Sequence, residues 1–150
     1  MLKVVFDTNV YISAFASPDS KAEDAYLLAV RGKIELYTSV SILTELAKKL
    51  REKFQWDDRE ITHVMKHISK GARVIKPDIT ITLLHDETDN KILECARASS
   101  ADLIVTGDKH LLSLKEFSGI GITRVAGFLY TLERLSEGLR GTLPIIPLKK

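Results

Sequence analysis

The sequence has almost no cysteine, no long apolar run and no excess of one charge, and each absence closes off a class of function. One cysteine, Cys95, in 150 residues excludes an internal disulfide and any zinc cluster built on thiolates. It also suits a reducing compartment. No stretch approaches the roughly 20 apolar residues that a membrane-crossing helix needs. The opening Met1-Leu2-Lys3-Val4-Val5-Phe6-Asp7 meets a carboxylate too soon for a secretion signal. Lys and Arg number 22 against 20 Asp and Glu, and the resulting +2 is too balanced to announce a nucleic-acid partner by itself. Repeats, low-complexity tracts and Gly/Ser/Pro-rich linkers are missing too, so residues 1–150 read as one domain. With 45% apolar and 28% charged residues, the expectation is a soluble cytoplasmic protein with no membrane partner.

What is present is an alternation of short apolar runs and helical patterns. Leu2 to Phe6 is an apolar, branched run of the kind a strand covered on both faces shows. Val10 to Phe15 and Ala22 to Val30 read as helices, and Ile34 to Tyr37 as a second strand. Ser39 or Ser41 caps a third helix to about Lys53, with Val40, Leu43, Leu46, Ala47 and Leu50 as its apolar face. A fourth runs from Trp56-Asp57-Asp58 to about Lys70. Val74-Ile75 is a weak third strand that Ile79 to Leu84 extends or follows. Asp89 to Ser99 is a helix, Asp102 to Val105 a strand, and a short helix ends at Leu114. Gly119 to Val125 holds the last strand and Ala126 to Glu137 the last helix, before an irregular tail from Gly141 to Lys150. This order predicts a three-layer α/β/α fold with a central parallel sheet of about five strands. Ligands of such sheets bind beyond the carboxyl ends of the strands, where strand order reverses. Those places are just after Phe6 and just after Val105.

Both hold an aspartate, Asp7 and Asp108. Two carboxylates on one crevice repel unless protonated or bridged by a cation, and oxygen-only clusters suit Mg²⁺ or Mn²⁺. Either one alone reads equally well as a helix cap. Asp86-Glu87-Thr88-Asp89-Asn90 adds acid before a helix, where capping and the helix dipole account for it. Glu94 reads as a solvated helix residue. Glu45 falls beyond the margin of its helix's apolar face, so periodicity alone turns it to solvent.

Val4-Val5-Phe6-Asp7-Thr8-Asn9-Val10, Glu45 on the third helix, Asp89-Asn90-Lys91-Ile92-Leu93-Glu94-Cys95-Ala96, and Ala101 through Thr106-Gly107-Asp108-Lys109-His110-Leu111-Leu112 together resemble the PIN-domain nucleases. The likeness is to the VapC-like toxin components of bacterial and archaeal toxin–antitoxin pairs, and it spans nearly the whole chain. It implies four acidic side chains at the carboxyl edge of a parallel sheet, binding one or two divalent ions. They map onto Asp7, Glu45, Asp89 and Asp108. Thr106 and Asn9 match polar positions that support the carboxylates, and Asp86 is either a further outer acid or a cap. The resemblance further implies a metal-dependent endoribonuclease that uses Mg²⁺ or Mn²⁺ on RNA and leaves a 5′-phosphate. A homodimer and an antitoxin protein that holds the toxin inactive are implied as well.

Alternatives from the residues are a haloacid-dehalogenase-like phosphatase, a phosphoacceptor domain, and a non-catalytic RNA- or protein-binding module. The first needs an acid at the position of Asn9, and the second a lysine where Thr106-Gly107-Asp108 stands. Two basic stretches, Lys48-Lys49-Arg51-Lys53 and Lys66-Lys70-Arg73-Lys76, read as the wet sides of helices. His63 and His67, four apart, read as an exposed helix face without a metal-binding motif.

Overall fold

The structure is a computed structural model that describes the backbone of residues 1–142 and the side chains of residues 1–136. Six strands form one sheet: β1 Lys3–Phe6, β2 Glu35–Ser39, β3 Arg73–Ile75, β4 Leu103–Val105, β5 Glu116–Phe117 and β6 Ile120–Thr123. The helices are α1 Thr8–Ala16, α2 Lys21–Val30, α3 Val40–Glu52, α4 Asp58–Gly71, α5 Glu87–Ser99, α6 Lys109–Leu112 and α7 Val125–Thr142. Val4, Val5 and Phe6 are consecutive on β1 and all fully buried. Successive strand side chains point to opposite faces, so helices cover the sheet on both sides.

The strand order is β3-β2-β1-β4-β6-β5. The chain steps outward from β1 to β2 to β3, then returns through α5 to lay β4 against the other edge of β1. Parallel pairing sets Val5 beside Tyr37 on one side and Ile104 on the other. The order therefore reverses between β1 and β4. Their carboxyl ends, Phe6 and Val105, open the crevice, and the Asp7 amide donates to the Val105 carbonyl across it at 2.9 Å.

The expected elements recur with three differences. The sheet has six strands, because Glu116–Phe117 pairs antiparallel with β6. Ser118 and Gly119 both take positive φ (53° and 80°), as a tight two-residue hairpin turn requires. Ile79 to Leu84 does not extend the sheet; side chains of α5 satisfy its backbone instead. The Asn90 amide accepts from the Leu84 N–H and donates to the Leu84 carbonyl, and a Glu94 oxygen accepts from the Ile81 N–H. α7 continues through Gly141 and Thr142, past its expected end at Glu137. The rest of the expected tail, 143–150, lies outside the described residues.

α3 matters most for the site. Ser39 caps it by accepting from the Ile42 N–H, and Ile42, Leu46 and Leu50 fix its buried face. Its first turn therefore stands at the carboxyl edge of the sheet. Cys95 is fully buried, and burial pushes its thiol up to about 12, which leaves it an unreactive core group. Among the described residues no helix is long and apolar enough to cross a membrane.

Candidate functional site

Asp7 is 5% exposed and both its oxygens are held. One accepts from the Thr8 N–H at 2.7 Å, which caps α1, with the Thr8 hydroxyl at 3.4 Å. The other accepts from the Thr106 hydroxyl at 2.7 Å. The Thr106 oxygen in turn accepts from the Asp108 N–H at 2.9 Å. Thr106 is fully buried, so this bridge locks the two crevice aspartates into one unit. Asp108 caps α6 through an oxygen that takes the N–H groups of His110 and Leu111, both at 3.0 Å. Capping and converging on the crevice are not rivals here: the cap bonds are what aim the carboxylates.

Asp89, in the first turn of α5, is 7% exposed and accepts no hydrogen bond among the described residues. Its pKa is raised to about 6, first by burial, then by the negative charges of Asp108, Asp86 and Asp7, with His110 opposing. Three acids therefore act electrostatically on one buried carboxylate that lacks a protein donor. Asp86 caps α5, accepting from the N–H and hydroxyl of Thr88, and these bonds hold it below the ordinary carboxylate range. It is exposed, so it is a cap that also adds charge to the crevice.

Glu45 is half-buried rather than solvent-facing. It lines a cavity of about 390 Å³ with Asp7, Thr8, Ile42, Thr88 and Ile92, between α3 and α5. Asp7 thus belongs to both neighbourhoods, acting on Asp89 from one side and sharing a cavity with Glu45 on the other. One turn after Glu45, Lys49 reaches the same place, its ammonium donating to the Thr8 hydroxyl at 2.8 Å. Periodicity alone places Lys49 on a wet helix face; its spacing of four from Glu45 is the signal that links them.

Two other positions depart from the expectations. Glu94 is buried and ties the 79–84 segment down, with Lys91 at 3.3 Å from its second oxygen. Asn9 is exposed and bonds to no carboxylate among the described residues, whereas Thr8 beside it does. His67 lies on an exposed face as expected, but its Nδ1 is 2.8 Å from the Tyr26 hydroxyl, so that ring serves the packing of α4 on α2.

All these site acids are hard oxygen donors, and the raised, undonated Asp89 is a carboxylate whose charge a bound cation or a proton would relieve. Among the described residues no three His, Cys, Asp or Glu side chains are grouped closely enough to enclose an ion by themselves. The donor set fits a hard divalent cation held through one or two carboxylates with water completing the shell. It does not fit a thiolate zinc centre or, among the described residues, a closed all-protein cage.

Comparison with known proteins agrees with this geometry. In solved structures, the fold is similar to a chain of VapBC2 from Rickettsia felis, determined bound to a DNA fragment from its promoter. The match has a TM-score of 0.59 at 17% identity over 81% of this chain and 97% of that one. The PIN domain of T. brucei RRP44 matches at a TM-score of 0.51 and 10% identity, over 92% of this chain and 84% of that one. In sequence, an uncharacterized protein of Methanocaldococcus jannaschii is 38% identical over 120 residues, 77% of this chain and 76% of the relative. The family model for the PIN domain covers residues 3–110, a span that holds Asp7, Glu45, Asp89 and Asp108, and the chain belongs to that family.

Proposed function

We propose that this protein is a divalent-metal-dependent endoribonuclease, with Asp7, Glu45, Asp89 and Asp108 as its catalytic and metal-holding residues. The observation that carries this is the crevice between β1 and β4. There a Thr106 bridge joins Asp7 to Asp108, and both charges bear on the buried Asp89. Uncompensated repulsion of that kind is costly unless a cation is the intended occupant.

Asp7, Asp89 and Asp108 would hold Mg²⁺ or Mn²⁺, and Glu45 would bind it or orient the attacking water. When bound, such an ion lowers the pKa of a coordinated water and offsets charge on the departing oxygen. Thr8 and Thr106 keep the Asp7 carboxylate fixed, so its lone pairs need no reorganisation during the reaction. The water oxygen bonds to phosphorus, the bond to the 3′ oxygen breaks, and that oxygen leaves with a proton. The product carries a 5′-phosphate.

Incubation with labelled single-stranded RNA tests this directly. Cleavage that requires Mg²⁺ or Mn²⁺ and is lost in Asp7→Asn supports it; cleavage that survives exhaustive EDTA overturns it. A toxin role, with a separate antitoxin protein, a paired homodimer and a cytoplasmic setting, belongs to the same reading. A short neighbouring reading frame encoding a DNA-binding protein would support it, and light scattering of the purified protein reads the dimer. The lack of a ready-made three-ligand cluster among the described residues favours a second reading, a binding module that kept the fold. Such a module would leave RNA intact with either metal.

A further inference from the structure

The site is crowded with carboxylates, yet its intended substrate is an anion. Glu45 and Lys49 sit one turn apart on α3, and Lys49 turns inward to donate to the Thr8 hydroxyl at 2.8 Å. Thr8 is 3% exposed and adjoins Asp7. Lys49 is itself half-buried, and its positive charge is also felt by Asp86, the N-cap of α5. Among the described residues it forms no ion pair; the three that occur are Arg51 with Asp58, Arg73 with Glu35, and Lys91 with Glu94. A half-buried ammonium that rests on a neutral hydroxyl keeps two of its three N–H groups for another acceptor. Ordinarily such a charge would turn outward to water or pair with a nearby acid, since the long stem permits either. Here it rests on the hydroxyl of Thr8, which lines the same cavity as Asp7 and Glu45.

We infer that Lys49 is a substrate-binding residue of this site, donating its free N–H groups to a phosphate of the RNA strand. The inference rests on the nuclease reading above and extends it to a residue outside the acidic set. Lys49 gives the crevice the fixed positive charge that an anionic strand needs beside a bound cation. Its point charge suits a single phosphate oxygen, with no fork geometry to satisfy.

The test uses Lys49→Met, which keeps the apolar stem, and Lys49→Arg, which keeps the charge. Binding of a labelled single-stranded RNA is measured in Ca²⁺ across a salt series, and Mn²⁺ affinity is measured separately by calorimetry. The expected result is RNA binding about tenfold weaker in Lys49→Met, with the salt slope reduced by about 0.7, the loss of one phosphate contact. Lys49→Arg should stay near the parent. Mn²⁺ should bind Lys49→Met as tightly as the parent or more tightly, since a repelling charge has gone. Unchanged RNA affinity and salt slope in Lys49→Met would overturn the inference while leaving the nuclease reading intact. Weakened Mn²⁺ binding would also overturn it, because Lys49 would then merely prop Thr8 and Asp7 in place. A parent that neither binds nor cleaves RNA would instead defeat the nuclease reading itself.

Discussion

Asp89 shows what a single residue contributes when its surroundings oppose it. Its folded carboxyl holds a proton to about pH 6, whereas an ordinary aspartate releases it at about pH 4. A raised acid favours the folded state while protonated, so its stabilising effect is complete below the unfolded value and is lost as pH rises through the folded one. Without metal, the protein should therefore lose stability between about pH 4 and 6, and Asp89→Asn should escape that part of the loss. Melting curves check it: the variant's advantage should grow across that interval and level off above it, at a few degrees. A constant difference at every pH would show that Asp89 is not the group that titrates.

Asp7 demands a different reading, because both its oxygens do structural work. In Asp7→Asn the amide nitrogen would face the Thr106 hydroxyl, which already accepts from the Asp108 N–H and now donates to Asp7. The buried hydroxyl hydrogen would lose its acceptor, at a cost of about 1–3 kcal/mol. That cost sets itself against the repulsion relieved by removing a charge. The informative quantity is thus the metal-induced shift rather than the melting temperature itself. The parent should gain stability on addition of Mn²⁺ and Asp7→Asn should gain little, since a ligand stabilises only as far as it binds. Equal shifts in both proteins would remove Asp7 from the ligand set.

At the scale of elements, α5 does more than carry Asp89. Its Asn90 and Glu94 side chains take over the backbone hydrogen bonding of the 79–84 segment, which crosses from β3 without joining the sheet. Glu94→Ala would leave the buried Ile81 N–H unsatisfied and Lys91 without its partner. It should destabilise the protein by about 2–3 kcal/mol. Hydrogen exchange locates the effect: amides of 79–84 should exchange faster, with those of β1 and β4 little changed. Protection unchanged at Ile81 would mean that the bond contributes nothing.

The whole molecule extends beyond the part that marks its family. The PIN match ends at residue 110, but Phe128 on α7 is fully buried and its ring meets Phe6 at 6.0 Å, edge to face. Phe6 immediately precedes Asp7, so the core under the site is completed by a helix outside the matched span. Phe128→Ala should cost about 3–5 kcal/mol and lower the denaturant midpoint accordingly. A change below about 1 kcal/mol would show α7 to be dispensable to that core.

The sequence by itself determined the alternation of elements, and through it the sheet's parallel character and the crevice after Phe6 and Val105. Local signals suffice for that: apolar period, caps and breakers act within a turn or two of the residues that carry them. Asp7 and Asp108 were legible for the same reason, being the first acidic residues past strand ends. The two-residue β5 offered too short a pattern to register, although Ser118-Gly119 is the turn that forms it. Tertiary structure decided the rest of the candidate site. Periodicity sorts a helix face only into core or water, and the crevice is neither. Glu45 and Lys49 lie at the margin of α3's buried stripe, and only the approach of α1 and α5 turns that margin inward. Thr8 rather than Asn9 supports Asp7 because the N-cap bond of α1 fixes which side of the first turn faces the carboxylate. Glu94 is buried because a distant loop needed an acceptor, a requirement that no residue beside it in the chain records.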